Sequence, residues 1–328
     1  MDDLLKAKLK GIESKLGDHA FPPQLVIENT SACNQSCIHC SHREMERPRR
    51  HMVRGLWDKL VEEVGLESPE TELWPTFYGE ALILREELWD RIDYAASVGC
   101  RNLVLNSNGT LLGRWNHAER IIKSPLRRFV LSLDGLSKEV YEKIRVHGKH
   151  DEVYPLVEEL LNLRERNGGV GPSITCQFSR MEENEHEVEA FTRYWNDRGA
   201  EVKVRPKLEW TSTGTVQSRF IDHTTSFRIA CPWANNTMAV HQDGSVVTCA
   251  VDYAGRLKVG NAREFSLKEL WGRLNEQVRK PHREHRWQDL PEICKGCGDW
   301  QTAGAQYQEE KVPGTRPFWY SASQAADA

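Results

Sequence analysis

The sequence predicts an α/β fold: a partial, TIM-like (β/α)6 barrel followed by a small C-terminal unit made of a β-hairpin and a helix. Three observations predict it. Strand and helix patterns alternate between residues 25 and 205, the order of parallel β/α units. The 328 residues exceed what one core usually needs and suit a barrel-sized domain plus a smaller one. Seven of the cysteines fall in two groups, Cys33, Cys37 and Cys40 near the start and Cys231, Cys249, Cys294 and Cys297 in the last third.

Residues 1–21 place Leu4, Leu5, Leu9, Ile12 and Leu16 at a helical period among charges, which predicts a cap helix. The barrel is expected over 22–211. Its first strand is Leu25–Glu28, leading into the three-cysteine loop. Further strands are predicted at 72–78, 102–106, 128–133, 173–178 and 201–205. Helices are predicted at 55–65, 84–99, 117–123, 138–145, 154–168 and 185–199. Six strands fit a partial barrel rather than an eight-fold one. The second unit is expected over 212–310. Residues 237–248 read as two short strands around Asp243-Gly244, a hairpin signal. A helix is predicted to start within Phe265–Leu274, and 275–291 is polar and basic. Residues 311–328, with Pro313, Gly314 and Pro317, predict a flexible tail.

Hydrophobic residues are 39% and charged residues 28%, the balance of a soluble globular protein. A net charge of −4 gives no reason to expect nucleic acid or an anionic membrane surface as partner. No apolar run reaches the ~18 residues of a membrane span. The start, Met1-Asp2-Asp3-Leu4-Leu5-Lys6, lacks a basic stretch followed by an apolar one, so a cytoplasmic location is expected. In a reducing compartment, an odd count of nine clustered cysteines points to metal binding or redox work rather than disulfides.

In Cys33-Asn34-Gln35-Ser36-Cys37-Ile38-His39-Cys40 the gaps of three and two residues can aim three sulfurs at one [4Fe–4S] cube, leaving its fourth iron open. Zinc is the alternative, with His39 or His42 completing a tetrahedral set. The second group can close a cluster with four thiolates, and zinc is again the alternative.

The three-cysteine loop after a first strand resembles the radical S-adenosylmethionine (SAM) superfamily. Other strand ends match. Tyr78-Gly79-Glu80-Ala81 stands where that family has a Gly-Gly-Glu-Pro-like turn at the amino end of SAM, with Tyr78 in place of a Gly and Ala81 in place of the Pro. Asn106-Ser107-Asn108-Gly109-Thr110 ends the third strand, Ser132-Leu133-Asp134-Gly135 the fourth, and Arg145 follows in a Tyr-x-x-x-Arg pattern. The resemblance spans about residues 22–210. It implies that Cys33, Cys37 and Cys40 hold a SAM-binding cluster, and that Glu80, Asn108, Ser132 and Arg145 lie around SAM. His39 takes the place of an aromatic residue near adenine; a solvated loop histidine is the other reading. All these motifs fall at strand C-termini, where parallel barrels keep their active sites.

Cys231, Cys249 and the Cys294-Lys295-Gly296-Cys297 turn, arranged around a hairpin, are similar to the SPASM/twitch extensions of the same superfamily. Four cysteines fit the shorter, one-cluster twitch form. Their spacing is like that of aminoglycoside-biosynthesis enzymes of the 2-deoxy-scyllo-inosamine dehydrogenase type. The resemblance implies two [4Fe–4S] clusters, SAM as cosubstrate and a flavodoxin- or ferredoxin-type reductant. A 5′-deoxyadenosyl radical would abstract hydrogen from a carbinol carbon of a polyhydroxylated small molecule such as an aminocyclitol or amino sugar. The auxiliary cluster would take the second electron and leave a ketone.

Two alternatives stay open. One is a radical epimerase, with Cys176 in the fifth strand as hydrogen donor; core packing is the plainer role for Cys176. The other is a peptide-modifying maturase, a class that often carries a leader-binding domain or a seven-cysteine SPASM domain; only about 24 residues precede the first strand here. Cys100, after Gly99, is expected to be a small buried hydrophobe. Arg205, Lys207 and Glu209 at the end of the sixth strand can bind a polar substrate or take its hydroxyl proton, or form a solvated rim. Trp210, Trp233 and Trp300 are expected to wall a substrate pocket.

Overall fold

The computed structural model of the protein describes residues 1–210, 216–249, 251–304 and 306–307. The expected boundary near 212 and the tail at 311–328 lie outside the described residues. In chain order, the first part contains α1 (Asp3–Glu13), β1 (Gln24–Ile27), α2 (Arg54–Glu67), β2 (Glu72–Trp74), α3 (Glu86–Ser97) and β3 (Asn102–Ser107). There follow α4 (His117–Lys123), β4 (Arg128–Ser132), α5 (Lys138–Ile144), α6 (His150–Arg166), β5 (Ser173–Arg180), α7 (Val188–Asp197) and β6 (Glu201–Pro206). Strands β1 to β6 pair successively, all in parallel. This is the predicted six-stranded partial barrel.

Strand alternation divides the barrel wall into two faces. On β5, Ile174, Cys176 and Phe178 enter the main hydrophobic core, which also contains Phe191 and Trp195 of α7. Each such fully buried apolar side chain contributes about 1.5–3 kcal/mol. The intervening Ser173, Thr175, Gln177 and Ser179 belong to the other face, toward the barrel interior. On β6 the apolar Val202 and Val204 join that core, and Glu201, Lys203 and Arg205 have the opposite parity.

Element limits differ from the sequence reading where local chemistry intervenes. β2 stops at Trp74 because Pro75 has no N–H for the ladder. α6 starts four residues before Tyr154: the His150 amide donates to Glu142 Oε1 at 3.2 Å and its ring stacks on Tyr154 with centroids 4.0 Å apart.

The second part contains α8 (Pro232–Asn236), β7 (Thr237–Val240), β8 (Ser245–Val247), β9 (Lys258–Asn261), α9 (Leu267–Leu274), α10 (Lys280–Arg283), α11 (Glu292–Lys295) and β10 (Gln306–Tyr307). β7 and β8 form the predicted hairpin. The unpredicted β9 adds a third antiparallel strand. A reciprocal Ser266–Glu269 capping box starts α9. A π-helical turn, Asn275–Arg279, then carries Arg279 onto the Trp271 ring, 3.4 Å from its centroid. β7 pairs in parallel with β1, Gln24 opposite Thr237, and β10 pairs antiparallel with β6. Both flanks of the barrel sheet are thereby extended by the C-terminal segment, in a ten-stranded order β10-β6-β5-β4-β3-β2-β1-β7-β8-β9.

Candidate active site

The three-cysteine loop leaves β1 and is fastened to the end of α5 by two backbone bonds, Ser36 N to Val146 O and Ile38 N to Ile144 O, both 3.1 Å. Cys33, Cys37 and Cys40 line a barrel cavity of about 250 Å³. Burial, with contributions from Glu80 and the neighbouring thiols, pushes Cys33 up to about 12; burial, then Cys37, pushes Cys40 up to about 11. Three thiols this close resist ionising together without a cation, and bound iron supplies that charge.

The strand-end residues surround the same cavity. Gly79 runs beside the loop: a Cβ there would lie 2.1 Å from Thr30 O and 2.7 Å from Ala32 O, so no larger residue fits. The next amide, Glu80 N, donates to Ala32 O at 2.8 Å. The buried Glu80 carboxylate accepts from Asn108 N at 2.8 Å, Ser107 Oγ at 3.0 Å and Leu82 N at 3.1 Å. Burial raises its pKa despite these bonds. Asn108 Nδ2 donates to Asn34 Oδ1 at 2.9 Å, which ties the third strand end to the cysteine loop. The Ser132 hydroxyl accepts from Asn106 Nδ2 at 3.0 Å and Gln177 Nε2 at 3.3 Å. Arg145 donates to Asp134 Oδ2 through one nitrogen and to Cys37 Sγ, at 3.5 Å, through the other. His39 Nε2 lies 3.3 Å from the same Asp134 oxygen. Burial holds His39 down at about 3. Trp210 Nε1 donates to His39 O at 2.8 Å, and its ring lies 5.4 Å from that of Tyr78.

His39, Tyr78, Gly79, Glu80, Asn108, Ser132, Arg145, Arg205, Trp210 and Trp233 all line this cavity. Two expected catalytic residues do not. Glu209 is buried, but its carboxylate accepts from Ser218 N at 2.9 Å and meets His223 Nε2 at 2.8 Å, so it is turned to the loop beyond the strand. Cys176 is fully buried in the core on the outer face of β5, among residues that pack against the helices. It cannot hand a hydrogen atom to a molecule in the barrel. Lys207 pairs with Glu182 at 3.0 Å, away from the cavity wall. Cys100 is buried and packs at the α3–β3 junction, as expected. Lys203 and Gln177, not among the expected site residues, also line the cavity; they share the inward parity of Arg205 and Ser179.

A second cavity is lined by all four C-terminal cysteines, Cys231, Cys249, Cys294 and Cys297. Burial pushes the Cys249 thiol far up, and Cys231, Cys294 and Cys297 add to the shift. Arg228 fastens the last turn by donating to Cys294 O at 2.6 Å and Lys295 O at 3.0 Å. Four buried or half-buried thiols facing one cavity are the donor set of a closed iron–sulfur cluster. Among the described residues, no group of three or more His, Cys, Asp or Glu side chains is already gathered around a single metal-ion position. Trp233 lines both cavities, and Trp300 the second alone. No helix among the described residues is long and apolar enough to cross a membrane.

The radical SAM superfamily pattern matches residues 27–172, and the SPASM iron–sulfur cluster-binding domain matches residues 231–298. The chain therefore carries a radical SAM domain followed by a SPASM domain, and SAM and [4Fe–4S] clusters are the cofactors of that pair. Mycofactocin maturase MftC of Mycolicibacterium smegmatis is 26% identical over 162 residues, 48% of this chain and 38% of that protein. The chain spans less than half the length of the curated relatives it matches. In fold it is similar to BtrN, whose crystal structure holds AdoMet and 2-DOIA: TM-score 0.58, 16% identity, 93% of this chain and 99% of that one. It is also similar to Streptococcus suis SuiB bound to the precursor peptide SuiA: TM-score 0.65, 14% identity, 91% of this chain and 73% of that one.

Proposed function

We propose that this radical SAM enzyme oxidises a carbinol carbon of a small polyhydroxylated molecule, of the aminocyclitol or amino-sugar class, to a ketone. The observation that carries this reading is Trp233. One side chain borders both the barrel cavity and the four-thiol cavity, so a substrate in the barrel sits next to an electron acceptor held by Cys231, Cys249, Cys294 and Cys297. A two-electron oxidation needs such an acceptor, because abstraction of one hydrogen atom removes only one electron.

When bound, SAM and the clusters supply a hydrogen-abstracting carbon radical and a one-electron sink. The protein supplies position. Cys33, Cys37 and Cys40 hold the SAM-binding cluster, and Glu80, Asn108, Ser132 and Arg145 receive SAM's polar groups, with His39 and Tyr78 beside them. Gln177 and Arg205 offer hydrogen bonds to hydroxyl and amino groups of the substrate. Trp210 and Trp233 keep water from the reacting carbon. A flavodoxin- or ferredoxin-type protein delivers the initiating electron.

A second reading, peptide modification, has its own support in the similarity to MftC and in the fold shared with peptide-bound SuiB. The epimerase reading has lost Cys176, the donor on which it stood.

The deciding experiment is an anaerobic incubation of reconstituted protein with SAM, reductant and a panel of aminocyclitols, aminoglycosides and short peptides in D₂O. A product two hydrogens lighter, formed with 5′-deoxyadenosine, is expected. Deuterium gained at unchanged composition would mean epimerisation. Turnover of peptides alone would establish the maturase reading.

A further inference from the structure

Arg228, Thr248 and His282 line the cavity of the four C-terminal cysteines. Each comes from a different segment and is tied to a different cysteine. Arg228 precedes α8 and donates through its two terminal nitrogens to Cys294 O and Lys295 O. Thr248 closes the hairpin, directly before Cys249. His282 of α10 accepts the Cys231 amide at Nδ1, 3.4 Å away. An amide can only donate, so Nδ1 is bare and the neutral ring carries its proton on Nε2. One donor atom of each side chain is left over: Arg228 Nε, Thr248 Oγ1 and His282 Nε2. All three atoms are buried, and none has a hydrogen-bond partner among the described residues. Buried donors in a native fold nearly always find an acceptor. The carboxylate on the same wall, Asp299, accepts from Glu209 N at 2.8 Å and Trp210 N at 3.2 Å. Of the side chains on that wall, the four sulfurs are the acceptors left.

We propose that Arg228, Thr248 and His282 donate hydrogen bonds to the sulfurs of the iron–sulfur cluster that Cys231, Cys249, Cys294 and Cys297 hold, and so set its reduction potential. The role goes beyond the dehydrogenase reading and holds whichever substrate the barrel takes. Reduction adds one electron, and with it one negative charge, to a group already ringed by thiolates. A donor beside sulfur stabilises the more negative state more strongly. Three donors therefore raise the potential and make the cluster a better electron acceptor. Arg228 adds a fixed positive charge to the same effect. Trp233, Val251, Ile293 and Trp300 make the rest of the wall apolar, and in such surroundings a hydrogen bond carries more weight than in water. The barrel shows the same kind of contact already formed, Arg145 to Cys37 Sγ at 3.5 Å.

The test uses the full chain with Cys33, Cys37 and Cys40 replaced by Ala, so that the second cluster is read alone. Its potential is measured by anaerobic redox titration followed by electron paramagnetic resonance, in this parent chain and after Thr248→Val, His282→Phe or Arg228→Lys. Each substitution is expected to lower the potential, by about tenfold in the reduction equilibrium or ~59 mV for one electron. Thr248→Ser, which restores the hydroxyl, should return it to the parent value. A second readout leaves all three donors in place: electron–nuclear double resonance on the reduced parent chain labelled with ¹⁵N-histidine. A coupled histidine nitrogen, and coupled protons that vanish in D₂O, are expected. Unchanged potentials with the iron content intact, or no histidine coupling, overturn the proposal. A parent chain that binds no iron refutes the cluster itself and this role with it. Ketone formation is assayed separately, in the chain with all its cysteines. If no ketone forms while the potentials shift as expected, the dehydrogenase reading fails and the hydrogen-bonding role stands.

Discussion

Arg145 and Asp134 form a buried ion pair beneath the cysteine loop, and the same guanidinium donates to Cys37 Sγ at 3.5 Å. Burial alone would raise the Asp134 carboxyl, but Arg145, His39 and the Ser179 amide hold it below the ordinary range. Asp134 Oδ1 accepts from Ser179 N at 2.6 Å, so one carboxylate links β5, α5 and the loop. Arg145→Met would leave that carboxylate buried without its cation. The expected cost is about 3–5 kcal/mol in anaerobic denaturant unfolding. Asp134→Asn added to Arg145→Met should recover part of it. Unchanged stability in Arg145→Met would mean that the pair is not formed in solution.

Gly79→Ala tests the close approach of the second strand end to the loop. The new Cβ would meet backbone oxygens, which cannot swing away as a side chain can. A loss of about 2 kcal/mol or more in stability is expected. Glu80, the next residue, would move off the Ser107 and Asn108 donors, so SAM cleavage should fall below detection by 5′-deoxyadenosine assay. Wild-type cleavage by this variant would show that the strand end has room to shift.

Much of this site was legible because its signals are local. Ser132 ends a strand, and Gly79-Glu80 and Asn108 lie in the turns that follow one; the C-terminal side of a strand in a parallel barrel faces the active site whatever the distant chain does. Cys176 takes the plainer of its two roles, core packing, and its parity shows it: Ile174 and Phe178, two residues either side, are apolar and mark the outer face. The same parity hides Lys203 between Glu201 and Arg205, three polar residues turned into the barrel. Glu209 was beyond local reasoning. Its partners Ser218 and His223 return from a loop whose path no strand or helix period announces. β9 was also missed, since four residues with Gly260 at φ +152 and a register shift opposite Val246 and Val247 give little strand signal.

The two cysteine groups should load iron independently, because they line different cavities. Reconstituted wild type is expected to bind about eight irons per chain, as two four-iron clusters. Replacing Cys33, Cys37 and Cys40 by Ala should leave about four irons and no 5′-deoxyadenosine. Replacing Cys231 and Cys249 by Ala should also leave about four, with 5′-deoxyadenosine still formed and the oxidised product lost. A wild-type total of about four would sink the two-cluster assignment.

His241 predicts a pH dependence of stability. It is buried, and burial, then Arg47 and Lys258, hold it at about 3 in the folded state, whereas an unfolded histidine titrates near 6.5. Between these values the unfolded chain carries a proton that the folded one lacks. Stability from this group is complete above pH 6.5 and falls as pH drops, by roughly 1.4 kcal/mol per unit. Urea unfolding of wild type and His241→Gln between pH 6.5 and 5 should therefore differ in slope, the variant being the flatter. Parallel slopes would mean that water reaches the ring.

Trp233→Ala tests the wall between the cavities. The residue follows Cys231 and opens α8, and Pro232 at the first helical position presets the backbone there. Removing a half-buried indole should cost about 2 kcal/mol, and the iron content should not change, since no thiol is touched. SAM cleavage should persist, because the cysteines and strand ends that receive SAM lie on the barrel side. What should change is coupling. Water entering between the cavities would solvate the four-thiol pocket and change the potential of the acceptor it holds, and the ratio of ketone to 5′-deoxyadenosine should fall severalfold. Trp233→Phe keeps an aromatic partition and should restore most of it. Equal coupling in wild type and Trp233→Ala would mean that the two cavities do not communicate through this side chain, and the electron would then have to leave the substrate by another wall.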